Sequence, residues 1–267
     1  RLAGRDHAPY EPEELLARAV GRPRSWFHAR RHEASGAGAA AAYEELVERR
    51  AGGEPLQYLL GEWEFLGRTF AIDSRALIPR GETEGIVDEA RRAAPAASRL
   101  VDLGTGSGIL AVSLALERPR AHVVALDRSP GALALAAANA RRHAVAHRVH
   151  AVASDWLKAL RPGGHFDLAV ANPPYVPLTD QPHLSKTVSE YEPGLALYGG
   201  ADGLEPLREL LATLPAFLVP LAPFVFEFGY SQARDVSALV EAAPGFRLER
   251  IRLDAAGIPR TATAIRT

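Results

Sequence analysis

The sequence predicts an α/β fold in which a mostly parallel sheet is covered by helices on both faces, behind a small helical region and a linking β-hairpin. Three observations carry this expectation. From about residue 82 onward, short apolar runs of the kind buried in parallel sheets alternate with stretches of helical periodicity. A glycine-rich turn, Gly104-Thr105-Gly106-Ser107-Gly108, separates the first of these runs from the helix that follows. The last two runs are joined only by residues 254–260, too short a link for a helical crossover, so they are expected to pair antiparallel.

Each element follows from its pattern. Leu15, Leu16, Ala19 and Val20 form one helical face, and Tyr43, Leu46 and Val47 form another after an alanine-rich start. Ser35-Gly36-Ala37-Gly38 reads as a break between the two helices, and Arg49-Arg50 as a solvated helix end. A strand pair is expected next, from Gln57 to Leu60 or beyond and from Arg68 to Ile72, turning around Gly67. The chain is expected to divide there, with residues 1–75 forming a helical recognition domain plus hairpin and residues 76–267 the sheet domain. Strands are predicted near 99–103, 122–127, 148–152, 166–171, 223–229, 247–253 and 261–266. Helices are predicted near 83–94, 108–117, 131–143, 204–218 and 231–242.

The glycine turn is the first chemical signal. Glycines there permit positive φ and let a ligand approach the backbone, while the helix start offers unpaired N–H groups. The spacing is G-x-G-x-G, whereas dinucleotide folds usually show G-x-G-x-x-G to seat a pyrophosphate. This favours S-adenosylmethionine (SAM) over NAD as the cofactor. The next strand ends in Asp127, at the spacing of a ribose-binding carboxylate; its other reading is a cap for the helix near Pro130. The third strand ends at Asp155-Trp156, placed to meet an adenine by its amine and its ring face, although Trp156 reads equally as packing.

The second signal is Asn172-Pro173-Pro174-Tyr175, which follows the run Phe166 to Ala171 and so sits at a strand's carboxyl end, where open α/β sheets place ligands. An Asn oxygen and a Pro carbonyl can each accept one N–H of a target –NH₂, and Pro brings no competing donor. A carboxamide nitrogen is a poor nucleophile because its lone pair is delocalised, so orientation is essential. Two successive prolines restrict the turn and hold both acceptors in place. Tyr175 supplies a flat wall or a hydroxyl contact. The plain alternative is a turn built from common loop formers. Residues 176–203, long, polar and rich in Pro and Gly, read either as a lid that grips a protein substrate or as a simple connection.

Composition narrows the classes. The chain has 267 residues and a net charge of −1, which suits one standard domain plus a small one. It contains no Cys, which excludes disulfides, thiolate metal sites and a Cys nucleophile. No pairing among the nine His suggests a metal site. No run approaches a membrane span and no signal peptide is recognisable, so a cytoplasmic protein is expected. Met is absent as well, so the sequence is not expected to begin at a translation start. Asn-Pro-Pro-Tyr also occurs in DNA adenine methyltransferases, but duplex affinity rests largely on phosphate contacts and this chain has no long basic run. Stable nucleic-acid binding is therefore not expected. A non-catalytic SAM or nucleotide-binding module would need no substrate tetrad.

The ordered set of motifs resembles the HemK/PrmC family of SAM-dependent N5-glutamine methyltransferases. It comprises Gly53 to Gly61, Glu64-Phe65, Leu77 to Glu84, Asp102 to Gly108, Asp155-Trp156, Asn172 to Tyr175, Tyr191-Glu192-Pro193 and Gly199 to Leu204. The resemblance implies a seven-stranded Rossmann-like sheet and a class I peptide-chain release factor as partner, methylated on the glutamine of its Gly-Gly-Gln motif. It also implies that Gly104 to Gly108, Asp127, Trp156 and Asn172 bind the cofactor and that Asn172 to Tyr175 bind the glutamine side chain. A sister enzyme acting on a ribosomal protein shares the same fold and chemistry. Two positions depart from the family's usual pattern: Gly81 stands where Pro is usual, and residues 221–224 replace a Gly-Gly turn.

Overall fold

The computed structural model describes residues 8–29 and 37–267. Helix α1 (Glu11–Val20) carries acids in its first turn and Arg18 in its last, which suits the helix dipole, and it ends on Gly21 in the left-handed region. Helices α2 (Arg24–Ala29), α3 (Ala37–Ala51) and α4 (Leu56–Leu60) complete the N-terminal part. Leu15, Leu56 and Leu59 form a small core of their own, packed by Tyr43, Leu46 and Val47. The break expected at 35–38 falls partly outside the described residues, and Ala37 already begins α3.

Two expectations for this region are corrected. Gln57 to Leu60 is not a strand but a short helix: Pro55 precedes its first turn and Gly61, at φ +74°, ends it. The hairpin lies further on, β1 (Glu62–Phe65) against β2 (Arg68–Ala71), with Leu66-Gly67 at the turn. Arg50 is not a solvated helix end either. It is buried, and its Nε lies 2.7 Å from Oε2 of Glu11, which is also buried, so the pair ties α3 to the start of α1.

The sheet domain alternates as predicted. Its elements are α5 (Glu84–Ala93), β3 (Arg99–Leu103), α6 (Ile109–Glu117), β4 (His122–Asp127), α7 (Pro130–Arg142), β5 (Val149–Ala153) and β6 (Leu168–Ala171). Then come α8 (Lys186–Tyr191), α9 (Gly194–Leu197), α10 (Glu205–Thr213), β7 (Pro223–Glu227), α11 (Ala233–Ala242), β8 (Phe246–Leu253) and β9 (Pro259–Arg266). The seven strands β3 to β9 lie in the order β5-β4-β3-β6-β7-β9-β8. β9 pairs antiparallel with both β7 and β8, as the short final connection requires.

Alternation of side chains across the strands builds two cores. Val101, Leu103, Ala169, Ala171, Phe224 and Phe226 face one layer, which also holds Leu207, Leu210, Val236 and Val240. Leu100, Leu168, Val170 and Val225 face the other, with Ile86, Val87, Val112 and Leu114. Burial on both faces explains why these strands read as continuous apolar runs. A buried Asn139 on α7 ties the hairpin to this domain: its Nδ2 donates to the Ala71 and Ser107 carbonyls, and its Oδ1 accepts from the Ala71 N–H at 2.8 Å.

Strand order reverses at the β3–β6 junction, since β4 and β5 lie to one side and β7 to the other. At such a switch point the loops leave in opposite directions and open a crevice at the carboxyl ends. The turn after β3 is the glycine turn and the turn after β6 is Asn172 to Tyr175. Topology therefore brings together two motifs some 70 residues apart in sequence.

Candidate active site

A cavity of about 400 Å³ opens at this junction, within the range usual for small-molecule and cofactor sites. Gly104, Thr105, Gly106, Ser107 and Asp127 line one side of it, together with Asp155 and Trp156. Asn172 and Pro174 line the other side, with Thr83 beside them. Gly108, Pro173 and Tyr175 do not line the cavity. Gly108 precedes the first turn of α6 at φ +81°, and a Cβ there would lie 2.8 Å from Ala136, so only glycine fits the approach of α7.

The glycine turn is held from beneath. The N–H groups of Gly104 and Thr105 both donate to the Leu126 carbonyl. Asp102, fully buried, accepts from Thr105 Oγ1 at 2.6 Å and from the Ala111 N–H at 3.1 Å, and its second oxygen has no partner among the described residues. Burial, with Asp127 nearby, pushes the Asp102 carboxyl up to about 7. Asp127 spans the turn, its Oδ2 accepting from the Gly106 N–H and its Oδ1 from the Ser129 N–H, each at 2.9 Å. The side-chain cap of α7 is Ser129, whose Oγ accepts from the Ala132 N–H. Each Asp127 oxygen keeps lone-pair capacity for a further donor in the cavity.

Trp156 is a non-glycine residue in the left-handed region, at φ +47°, a conformation that costs roughly 1–2 kcal/mol. Its ring lies over the glycine turn, so that a Cβ at Gly104 would sit 3.5 Å from it. Asp155 pairs with Lys158, which holds its carboxyl below the ordinary Asp range.

On the opposite side, Asn172 Nδ2 donates to Thr83 Oγ1 at 3.1 Å, and Thr83 Oγ1 donates to Glu227 Oε2 at 2.7 Å. The Tyr175 hydroxyl donates to Glu227 Oε1 at 3.1 Å, so this ring braces the turn from behind. Burial raises the Glu227 carboxyl above the ordinary Glu range against the pull of those two hydroxyls. The segment after the tetrapeptide is ordered into a turn at Leu178–His183 and the short helices α8 and α9. It closes back on the motif at Gly203, where a Cβ would lie 2.1 Å from the Tyr175 carbonyl oxygen, and Gln232, just before α11, donates its Nε2 to that same oxygen at 3.0 Å.

Sequence reasoning did not identify Thr83 as a partner of Asn172, nor Glu227 or Gln232 at all. Glu227 carried a legible signal, because it is the single charged residue in the run Phe224-Val225-Phe226-Glu227-Phe228. Among the described residues no cluster of three or more His, Cys, Asp or Glu is placed to hold a metal, and no helix is long and apolar enough to cross a membrane.

Comparison with known proteins agrees with this arrangement. Residues 87–187 match the model of the methyltransferase small domain, and residues 1–61 match that of the PrmC N-terminal domain. Among solved structures, a ribosomal protein L11 methylase from Lactobacillus delbrueckii subsp. bulgaricus shares the fold at 20% identity. Its TM-score is 0.53, over 71% of this chain and 80% of that one. A methyltransferase from Pyrococcus furiosus does so at 15% identity and a TM-score of 0.57, over 83% and 98% of the two chains. The release factor glutamine methyltransferase of Geobacter sulfurreducens is 43% identical over 233 residues, 87% of this chain and 81% of that protein. That of Bordetella pertussis is 41% identical over 255 residues, 94% and 92% of the two, and that of Moorella thermoacetica is 41% identical over 270 residues, 100% and 95%. Similarity of this extent, at 41–43% identity over most of each protein, makes the chain a member of the release factor glutamine methyltransferase family.

Proposed function

We propose that this protein transfers a methyl group from S-adenosylmethionine to the side-chain amide nitrogen of the glutamine in the Gly-Gly-Gln motif of class I peptide-chain release factors. One observation carries the reading: a single cavity joins the glycine turn and Asp127 to the Asn172 edge of the Asn-Pro-Pro-Tyr turn. The residues fit such a cofactor. The turn leaves its backbone open where side chains would intrude, Asp127 retains acceptor capacity for ribose hydroxyls, and Trp156 offers a ring face to the adenine.

When bound, the cofactor supplies an electrophilic methyl on a sulfonium. Asn172, which lines the cavity, accepts one N–H group of the target amide and so orients its nitrogen towards that methyl; the Pro173 carbonyl, the second acceptor expected from the sequence, belongs to a residue that does not line the cavity. Pro173 and Pro174 keep the turn from collapsing onto its own acceptors. The N–C bond forms as the C–S bond breaks, and the alkylated amide, now strongly acidic, loses its proton to water. No protein base is required.

Residues 1–75 are assigned to partner recognition and residues 76–267 to chemistry. The separate small core around Leu15, Leu56 and Leu59 supports that division. One glutamine side chain offers too little surface to select a protein, since specific interfaces bury about 1,200–2,000 Å². The release factor is the partner in this reading, in the cytoplasm where translation ends.

The test is incubation with labelled SAM and a purified release factor, a ribosomal protein and duplex DNA, with mass spectrometry to locate the label. Label on the Gly-Gly-Gln glutamine is expected, and Asn172→Ala should lower the rate by about a hundredfold or more. Label on the ribosomal protein or DNA alone would redirect the assignment.

A further inference from the structure

We propose that Thr83 and Glu227 are positioning residues that fix which edge of the Asn172 carboxamide faces the cavity, so that its oxygen and not its –NH₂ is presented to the substrate. The inference deepens the reading above and rests on it for the identity of the substrate group. It begins from a chain of three side chains, Thr83 and Glu227 buried and Asn172 half-buried, drawn from the turn before α5, the end of β7 and the residue after β6.

A carboxamide has two edges of nearly equal shape and opposite polarity. If Asn172 turned its –NH₂ into the cavity, it would meet the N–H groups of the target amide donor to donor, and the orientation that an in-line displacement needs would be lost. Something must therefore set the edge. Among the described residues Thr83 alone hydrogen-bonds to the Asn172 amide, and a hydroxyl by itself is indifferent, because it both donates and accepts.

Glu227 removes that indifference. In its ionised form, which burial disfavours and the Thr83 and Tyr175 hydroxyls favour, Glu227 only accepts, so above its raised pKa the single Thr83 hydrogen is committed to Glu227 Oε2, 2.7 Å away. Thr83 Oγ1 is left solely as an acceptor and selects the –NH₂ edge of Asn172, whose Oδ1 is then directed away from Thr83. The other Glu227 oxygen is occupied by the Tyr175 hydroxyl. Both ends of the tetrapeptide are thus referred to one carboxylate, which makes no salt bridge with any described residue. Thr83 and Glu227 are each 1% exposed, so water does not compete for these bonds.

The network gives isosteric tests. Glu227→Gln keeps the shape but offers one acceptor and one donor to two hydroxyls, so one of them must reverse. If Thr83 reverses, it donates to Asn172 and turns the carboxamide over. Thr83→Val removes the hydroxyl at constant volume, and Thr83→Ser restores it.

Two measurements on the full chain decide the matter. In ¹H–¹⁵N spectra, the Asn172 side-chain amide, assigned by its loss in Asn172→Asp, is expected to show one proton protected from exchange in the wild type. Thr83→Ser should keep that protection, while Thr83→Val and Glu227→Gln should lose it. In steady-state methylation, Glu227→Gln and Thr83→Val should lower kcat about a hundredfold, the scale of a misplaced reacting group. The SAM dissociation constant should stay within about twofold of wild type, a change worth well under 1 kcal/mol, and Thr83→Ser should recover most of kcat. An unprotected Asn172 amide in the wild type, full kcat in Glu227→Gln, or failure of Thr83→Ser to rescue would each overturn the proposal. A wild type that shows the protected amide but does not methylate the release factor would overturn the substrate reading and leave the polarity relay standing.

Discussion

Arg80 Nη2 lies 2.5 Å from Glu192 Oε1, and this ion pair fastens the segment that follows the tetrapeptide to the strip of chain in front of α5. The second Glu192 oxygen accepts from the Ile78 N–H at 3.2 Å. The Glu192 side chain is 1% exposed and that of Arg80 34%, so the carboxylate has little access to water if its partner is removed. Tyr191, next to Glu192, donates its hydroxyl to the Gly52 carbonyl at the end of α3, which carries the same segment across to the N-terminal helices.

Arg80→Ala should therefore destabilise the fold by about 1–3 kcal/mol, the usual cost of leaving a buried acceptor unmatched. The damage should concentrate in residues 176–203, where few apolar contacts back up the pair. Limited proteolysis should show faster cleavage in this segment than in the sheet, and urea unfolding should show the lowered midpoint. Equal cleavage rates in variant and wild type would mean that the segment is held by its short helices alone.

Asp102 makes a prediction about pH. Its carboxyl has an ordinary value of 3.8 and stands at about 7 in the folded chain, because burial disfavours its charge. A raised pKa means that the native state holds this proton more tightly than the unfolded chain does. The contribution to stability is then fully present below pH 3.8 and is lost as pH rises through about 7. Each unit of difference is worth about 1.4 kcal/mol. Unfolding free energies for the wild type and Asp102→Asn, compared from pH 4 to pH 8, should show a difference that declines with rising pH and levels off above 7. A flat difference would mean that Asp102 is ionised throughout, with its unpartnered oxygen hydrated.

The parts of the fold legible in the sequence are those set by local pattern. The apolar runs, the glycine turn and the Asn-Pro-Pro-Tyr turn each declare themselves within a few residues, and the short final link dictates an antiparallel pair. Gln57 to Leu60 was misread as a strand because Tyr and two leucines in a short run suit either state. Pro55 before it and Gly61 after it are the stop signals that decide for one helical turn. Arg50 looked solvated because its partner Glu11 is 39 residues away. Glu227 was hidden for the same reason. Thr83 and Tyr175 lie 144 and 52 residues from it, and only the sheet order brings the three together.

The turn before β7 shows what a local departure costs. Leu221 takes φ +64° and is 74% exposed, at the place where a Gly-Gly turn is usual in the family that the chain resembles. An L-residue in the left-handed region is strained by roughly 1–2 kcal/mol through the approach of its Cβ to the following carbonyl. Glycine avoids that clash, but it gives back about 0.5–1 kcal/mol through the greater freedom of the unfolded chain. The exposed Leu221 side chain buries little apolar surface, so its removal subtracts little. The turn itself is kept, since the Leu221 N–H donates to the Arg266 carbonyl at 3.1 Å and glycine preserves that N–H. Leu221→Gly should accordingly stabilise the protein by about 0.5–1 kcal/mol, read as a higher urea midpoint at unchanged slope. Methyl transfer should be unaffected, because Leu221 does not line the cavity. A lowered midpoint would show that the exposed leucine contributes packing that outweighs the strain at its backbone.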